Sequence, residues 1–153
     1  MTAARDPSRD VPRLCFVDTS AFYASVDRDA RHHETCVTIF TALARHRSRL
    51  LTSNHVVFET YGLLLGRLGG TLARRWLDRL AIHVERATDG DERRALRIVR
   101  QFSDKDFSLV DASSFALMER LGVRSAVAFD THFRQYGRFH VLTHPVASWI
   151  PPR

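Results

Sequence analysis

Hydrophobic positions along the chain fall into two kinds of run. Leu14 to Val17 and Ser125 to Phe129 are short, nearly unbroken apolar stretches of strand length. Leu50-Leu51-Thr52 and Phe139 to Leu142 predict two further strands, and Ile82 to Arg86 alternates as a fifth. Between them the spacing turns helical. Within residues 31–47, Cys36, Ile39, Phe40 and Leu43 recur at i, i+3, i+4, i+7. After a Ser53 cap the predicted stripe is Val57, Tyr61, Leu64, Leu65 and Leu68, ended by Gly69-Gly70, with another helix from Thr71 to Leu80. Asp89 to Glu92 has capping-box spacing ahead of Ala95, Ile98, Val99 and Phe102. Ser108 and Asp111 have it ahead of a helix closed by Gly122. Thr19 or Ser20 is expected to cap the helix after the first strand.

Residues 1–12 are polar and proline-punctuated, which predicts a disordered lead-in, and residues 13–150 read as one domain. Strands separated by one or two helices predict an α/β fold with a mostly parallel sheet covered on both faces. In such sheets functional groups collect outside the carboxyl ends of the strands.

Four acids stand where apolar runs stop. Asp18 follows Cys15-Phe16-Val17, Glu59 follows Val56-Val57-Phe58, Asp111 follows Leu109-Val110, and Asp130 follows Ala126-Val127-Ala128-Phe129. Glu59 lies about 200° around its helix from Val57, on a face with Gly62, Leu63 and Gly66, where small residues would admit another element. Each acid has a plain structural reading: Asp18 as a helix cap, Asp111 as a capping-box partner, Asp130 as a turn residue, Glu59 as a solvated helix position. Gathered together, their repulsion requires a cation, and oxygen ligands suit Mg²⁺ or Mn²⁺. That chemistry serves phosphodiester hydrolysis, with Asp18 and Asp111 expected to touch metal directly and Glu59 and Asp130 to act as further ligands or through water.

Net charge changes the picture only in part. The chain carries +6 with a pI near 10.3, which favours polyanionic partners, yet every basic residue among the 23 except Lys105 is Arg, a bias that a GC-rich genome gives unaided. Arg93, Arg97 and Arg100 read as a solvated helix face, and Arg45 to Arg49 as either a helix-end cluster or an RNA contact. Cys15 and Cys36 provide neither a disulfide framework nor a zinc quartet and are expected in the core. The eight histidines have no zinc-site spacing, and His132 is not expected to be catalytic although it adjoins Asp130. Trp76 and Trp149 are expected to be anchors rather than base-stacking platforms. With no membrane-length apolar stretch and no signal-peptide pattern, a cytoplasmic protein is the expectation.

The motifs Val17-Asp18-Thr19-Ser20-Ala21, Glu59, Asp104 to Phe115 and Phe129-Asp130-Thr131-His132-Phe133 resemble those of the PIN-domain nucleases. The resemblance is closest to the VapC-type ribonuclease toxins of toxin–antitoxin pairs, and it covers about residues 13–145. It implies a three-layer α/β/α sandwich, Mg²⁺- or Mn²⁺-dependent RNA cleavage at Asp18, Glu59, Asp111 and Asp130, a homodimer and a cognate antitoxin. It also implies a supporting hydroxyl at Ser20 and a secondary acid at Asp106, while Val110 replaces a frequent Thr. Two readings stand beside it: a catalytically weak PIN-type module that binds RNA or a partner, and a PIN nuclease of RNA processing. A phosphatase using Asp18 as nucleophile is disfavoured because Ser20 stands where such enzymes carry a second aspartate.

Overall fold

The computed structural model describes residues 11–144. The strands are β1 (Leu14–Val17), β2 (Arg49–Ser53), β3 (His83–Glu85), β4 (Ser125–Val127) and β5 (His140–Leu142). The helices are α1 (Thr19–Val26), α2 (His33–Arg45), α3 (Asn54–Leu68), α4 (Gly70–Arg79), α5 (Asp89–Gln101), α6 (Leu109–Leu121) and α7 (His132–Tyr136). All strand pairs are parallel, in the order β3-β2-β1-β4-β5, with Phe16 aligned to Leu51 on one side and Ala126 on the other. The chain therefore walks outward from β1 to β3, then returns to β4 and walks the other way. Right-handed crossovers place α1–α4 on one face and α5–α7 on the other. The packing agrees: α1 meets α2 and α3, and α6 meets α5 and α7. The expected parallel three-layer architecture is the one observed.

Where the walk reverses, the connections after β1 and β4 leave for opposite faces of the sheet, which opens a crevice at the carboxyl ends of these two strands. Asp18 N donates to Val127 O at 3.1 Å just beyond β1, so the ladder closes at the lip of that crevice. Cys15, Phe16 and Val17 have no exposure, nor have Ala126 and Val127, so this centre of the sheet is a rigid base. Cys15 and Cys36 are both fully buried, as expected of core residues.

Several predicted details are corrected. The side chain that caps α1 belongs to Asp18, not Thr19 or Ser20. The α5 capping box pairs Thr88 with Asp91, one residue earlier than the acidic run suggested. β4 stops at Val127 rather than Phe129, because the chain must turn to bring Asp130 round to the crevice. The buried face of α3 is Val56, Thr60 and Leu64, while Leu65 is 47% exposed. An all-round apolar helix has no unique stripe, and Thr60, whose hydroxyl donates to Thr19 Oγ1 at 3.3 Å, is acceptable against α1. No atom beyond the helix's own approaches within 4 Å of where a Cβ would stand at Gly62 or Gly66, so no element packs there as expected. Two other glycines do what the sequence suggests: Gly69 (φ 89°) separates α3 from α4, and Gly122 (φ 68°) ends α6 in left-handed geometry. Of the expected lead-in, residues 1–10 lie outside the described residues, as does Trp149, while Val11 is buried in the core. Trp76 packs edge-on to Phe22 at 5.3 Å.

The face bearing α5–α7 is held by aromatic packing. Phe115 has no exposure and lies 4.3 Å from Tyr136 in a stack and 4.9 Å from Phe133 edge-on. Phe115→Ala should lower unfolding free energy by about 3–5 kcal/mol, read as a drop in the urea midpoint, because the surrounding rings cannot collapse into the void.

Candidate metal centre

Asp18 leaves β1 as the N-cap of α1 and is 1% exposed. One carboxylate oxygen, Oδ2, accepts from Ser20 N at 3.1 Å and from Ser20 Oγ at 2.6 Å. Ser20 Oγ in turn accepts from Phe129 N at 2.9 Å, tying the loop after β4 to the end of β1. Burial first, then the charge of Asp130 and that of Asp111, push the Asp18 carboxyl up to about 8 against the pull of Ser20.

Asp111 is 5% exposed in the first turn of α6. The Ser108–Asp111 capping box forms as predicted, with Oδ2 accepting from Ser108 N at 3.0 Å. The same oxygen lies 2.6 Å from His132 Nδ1, which the network identifies as the protonated nitrogen. Asp130 Oδ1 accepts from His132 N at 2.9 Å. Its carboxyl is raised above the ordinary range by burial and by the charge of Asp111. Glu59, half-buried on α3, is raised by burial and by Asp111 and Asp130, and a hydrogen bond with Thr19 opposes the rise.

The four predicted acids thus gather at one crevice, where Asp18, Glu59 and Asp130 each sense the charge of Asp111. The most compact donor group differs from the expected pair of Asp18 and Asp111. Among the described residues, Asp111, Asp130 and His132 each offer a ligand atom, all within 4.8 Å of one another. Asp18 and Glu59 stand outside that group. His132 is the residue that sequence reasoning undervalued. Its bond to Asp111 spans 21 positions, and the only local signal was its place two residues after a strand-end aspartate. Ser20 holds the supporting position that the resemblance implied, and Asp106 is exposed.

The donor set fits a hard divalent cation. Carboxyls raised first by burial and then by neighbouring negative charge are a site that a cation would relieve, and carboxylate oxygens with at most one imidazole suit Mg²⁺ or Mn²⁺. Arg93, Arg97 and Arg100 are exposed on α5, the solvated face expected of them. No helix among the described residues is long and apolar enough to cross a membrane.

Comparison with known proteins bears on the same segment. A family model described as the PIN domain matches residues 15–139. A 23S rRNA-specific endonuclease, VapC20, from two strains of Mycobacterium tuberculosis, is 36% identical over 129 residues, covering 81% of this chain and 95% of the relative. The crystal structure of M. tuberculosis VapC20, described as a sarcin–ricin loop cleaving toxin, superposes with a TM-score of 0.77 at 32% identity. That superposition covers 86% of this chain and 99% of the other.

Proposed function

This chain belongs to the PIN-domain family, and from that premise we propose that Asp18, Glu59, Asp111 and Asp130 hold the divalent metal of a VapC-type endoribonuclease. The supporting observation is the meeting of Asp111, Asp130 and His132 within 4.8 Å at the sheet's switch point, with the buried Asp18 beside them. The activity itself, the metal-dependent ribonuclease chemistry of a toxin, follows from the relatives. The bound cation, Mg²⁺ or Mn²⁺, supplies an activated water and neutralises charge at the phosphate.

The chain's own groups do the rest. Ser20 holds one oxygen of Asp18 through its amide and its hydroxyl. Ser108 and the capping box at the amino end of α6 keep Asp111 oriented. The His132 amide fixes Asp130, and its ring fixes Asp111. Glu59 adds charge from the opposite wall. His132 is therefore a positioning residue, and partners of metal ligands typically matter 10- to 100-fold. His132→Ala should raise the Mg²⁺ or Mn²⁺ concentration for half-maximal cleavage by about that factor, with excess metal restoring the rate. A loss of rate that metal cannot restore would mean the ring acts otherwise.

As the first substrate to try we propose the large-subunit ribosomal RNA, the target named for VapC20. A separately encoded antitoxin, a homodimeric state and a cytoplasmic place complete the proposal. Purified protein should cut total RNA into discrete fragments with Mg²⁺ or Mn²⁺ and not with EDTA, and end mapping names the target. Intact RNA with every metal, from folded protein free of antitoxin, would favour the binding-module reading.

A further inference from the structure

We infer that the cavity flanking the acidic site, walled by α1, the α1–α2 loop and α3, seats an unpaired RNA nucleotide next to the scissile phosphate. The inference rests on the ribonuclease reading above. The cavity measures about 530 Å³, within the range of about 300–1,000 Å³ typical of small-ligand sites. Ser20 and Asp130 belong to its lining, so it opens directly onto the acidic crevice.

Its other walls have the chemistry of a single-strand subsite. His32 and Phe129 both line it, stacked at 5.0 Å with ring planes 11° apart. Aromatic surface of this kind takes bases without regard to sequence. Arg31 and Arg67 stand at the rim, both exposed, and neither is in an ion pair among the described residues. Arg67 lies 5.6 Å over the Tyr23 ring, a contact that orients its guanidinium at the rim, where the charge of Asp27 also reaches it. The one further carboxylate in the lining, Asp27, is engaged by Tyr23 Oη at 2.7 Å and by Asp29 N at 3.0 Å.

Two independent features connect this cavity to the reaction. Ser20 Oγ accepts from Phe129 N and donates to Asp18 Oδ2, so one hydroxyl sets both the aromatic wall and a metal-site carboxylate. Along α3, Glu59, Leu63 and Arg67 descend one face at i, i+4, i+8 from the acidic site to the basic rim. Beside that line Gly62 and Gly66 are open to solvent, although Gly is costly in a helix relative to Ala. The open flank leaves room for a ribose–phosphate backbone to run along the helix.

The test uses a fluorescent mixed-sequence single-stranded RNA decamer, bound to Asp18→Asn protein without metal so that binding is read apart from cleavage. Adding Arg31→Gln and Arg67→Gln together should weaken binding about tenfold. It should also reduce the slope of log affinity against log salt by about 0.7 for each phosphate that the missing guanidinium groups no longer neutralise. Adding His32→Ala should weaken binding about tenfold with the slope unchanged. Arg97→Gln, on the solvated face of α5, should alter neither. Melting curves confirm that each variant is folded. Unchanged affinity and slope in both sets, or a parent that does not bind the decamer, would overturn the subsite. These binding differences persisting in a chain whose unmutated form cuts no RNA with metal would instead remove the nuclease reading and leave the subsite standing.

Discussion

An Asp18→Asn protein is expected to cut RNA at least about a thousandfold more slowly than the unmutated chain, yet to melt at a higher temperature when metal is absent. The first half follows from the metal's role. Charge stabilisation by a bound ion is worth several kcal/mol, and each 1.36 kcal/mol is tenfold in rate. The second half follows from burial. Asp18 is 1% exposed, beside Asp130 and Asp111, and its carboxyl is raised to about 8. At pH 8 the metal-free protein therefore holds a partly ionised carboxyl in a site that disfavours its charge. Asn removes that charge while keeping the cap, since Asn serves as well as Asp at this position and its oxygen can still accept from Ser20 N and Oγ. A rise of several degrees is expected, each 1 kcal/mol being about 2–4 °C in a domain of this size. Differential scanning fluorimetry at pH 8 in EDTA, beside an RNA cleavage assay, reads both halves. Full activity would remove Asp18 from the site. An inactive protein with a lowered melting temperature would mean that the carboxylate supports the fold instead.

Removal of the cation should abolish cleavage in the unmutated chain, and the cation's effect on stability should depend on pH with a definite sign. For Asp18 the folded state retains a proton between the ordinary carboxylate value of 3.8 and about 8, where the unfolded chain releases it. Stability of the metal-free protein thus falls as pH rises through that window, and the raised carboxyls of Glu59 and Asp130 add in the same direction. A divalent ion replaces those protons. The metal-induced rise in melting temperature should therefore be larger at pH 8 than at pH 6, because less proton must be displaced and more repulsion is relieved. At pH 7, Mg²⁺ or Mn²⁺ binding should release on the order of one proton, visible by calorimetry in buffers of different ionisation enthalpy. In Asp18→Asn both the release and the pH dependence should shrink. A metal shift that is equal at both pH values, with no proton released, would show that the ion binds carboxylates already ionised.

Much of the site was legible before any fold was drawn, and particular residues show why. Asp18 and Asp130 each follow a strand-like run, and in a parallel sheet strand ends are where a crevice opens. Ser108 and Asp111 announced their own helix start, because a capping box is written in four consecutive residues. Local rules failed where the partner was distant. Nothing near His132 in the chain reveals that its ring lies 2.6 Å from Asp111. The apolar pattern of α3 was equally mute. Val56, Val57, Phe58, Tyr61, Leu64 and Leu65 surround that helix, and only packing against α1 chose the face bearing Val56, Thr60 and Leu64.

The sequence by itself determined the five strands, the first six helices, the parallel architecture and the four candidate acids, because periodicity, capping and strand-end position are local properties of a chain; the short α7 (His132–Tyr136) carried no such signal. Tertiary structure alone decided three further matters: that the walk of strands reverses between β1 and β4, that Asp111, Asp130 and His132 form the tightest donor group, and that an aromatic and basic cavity adjoins them. Each depends on which distant segments share a crevice. That is settled by packing the two helical layers against the sheet, a global balance of burial and chain connectivity that no local pattern encodes.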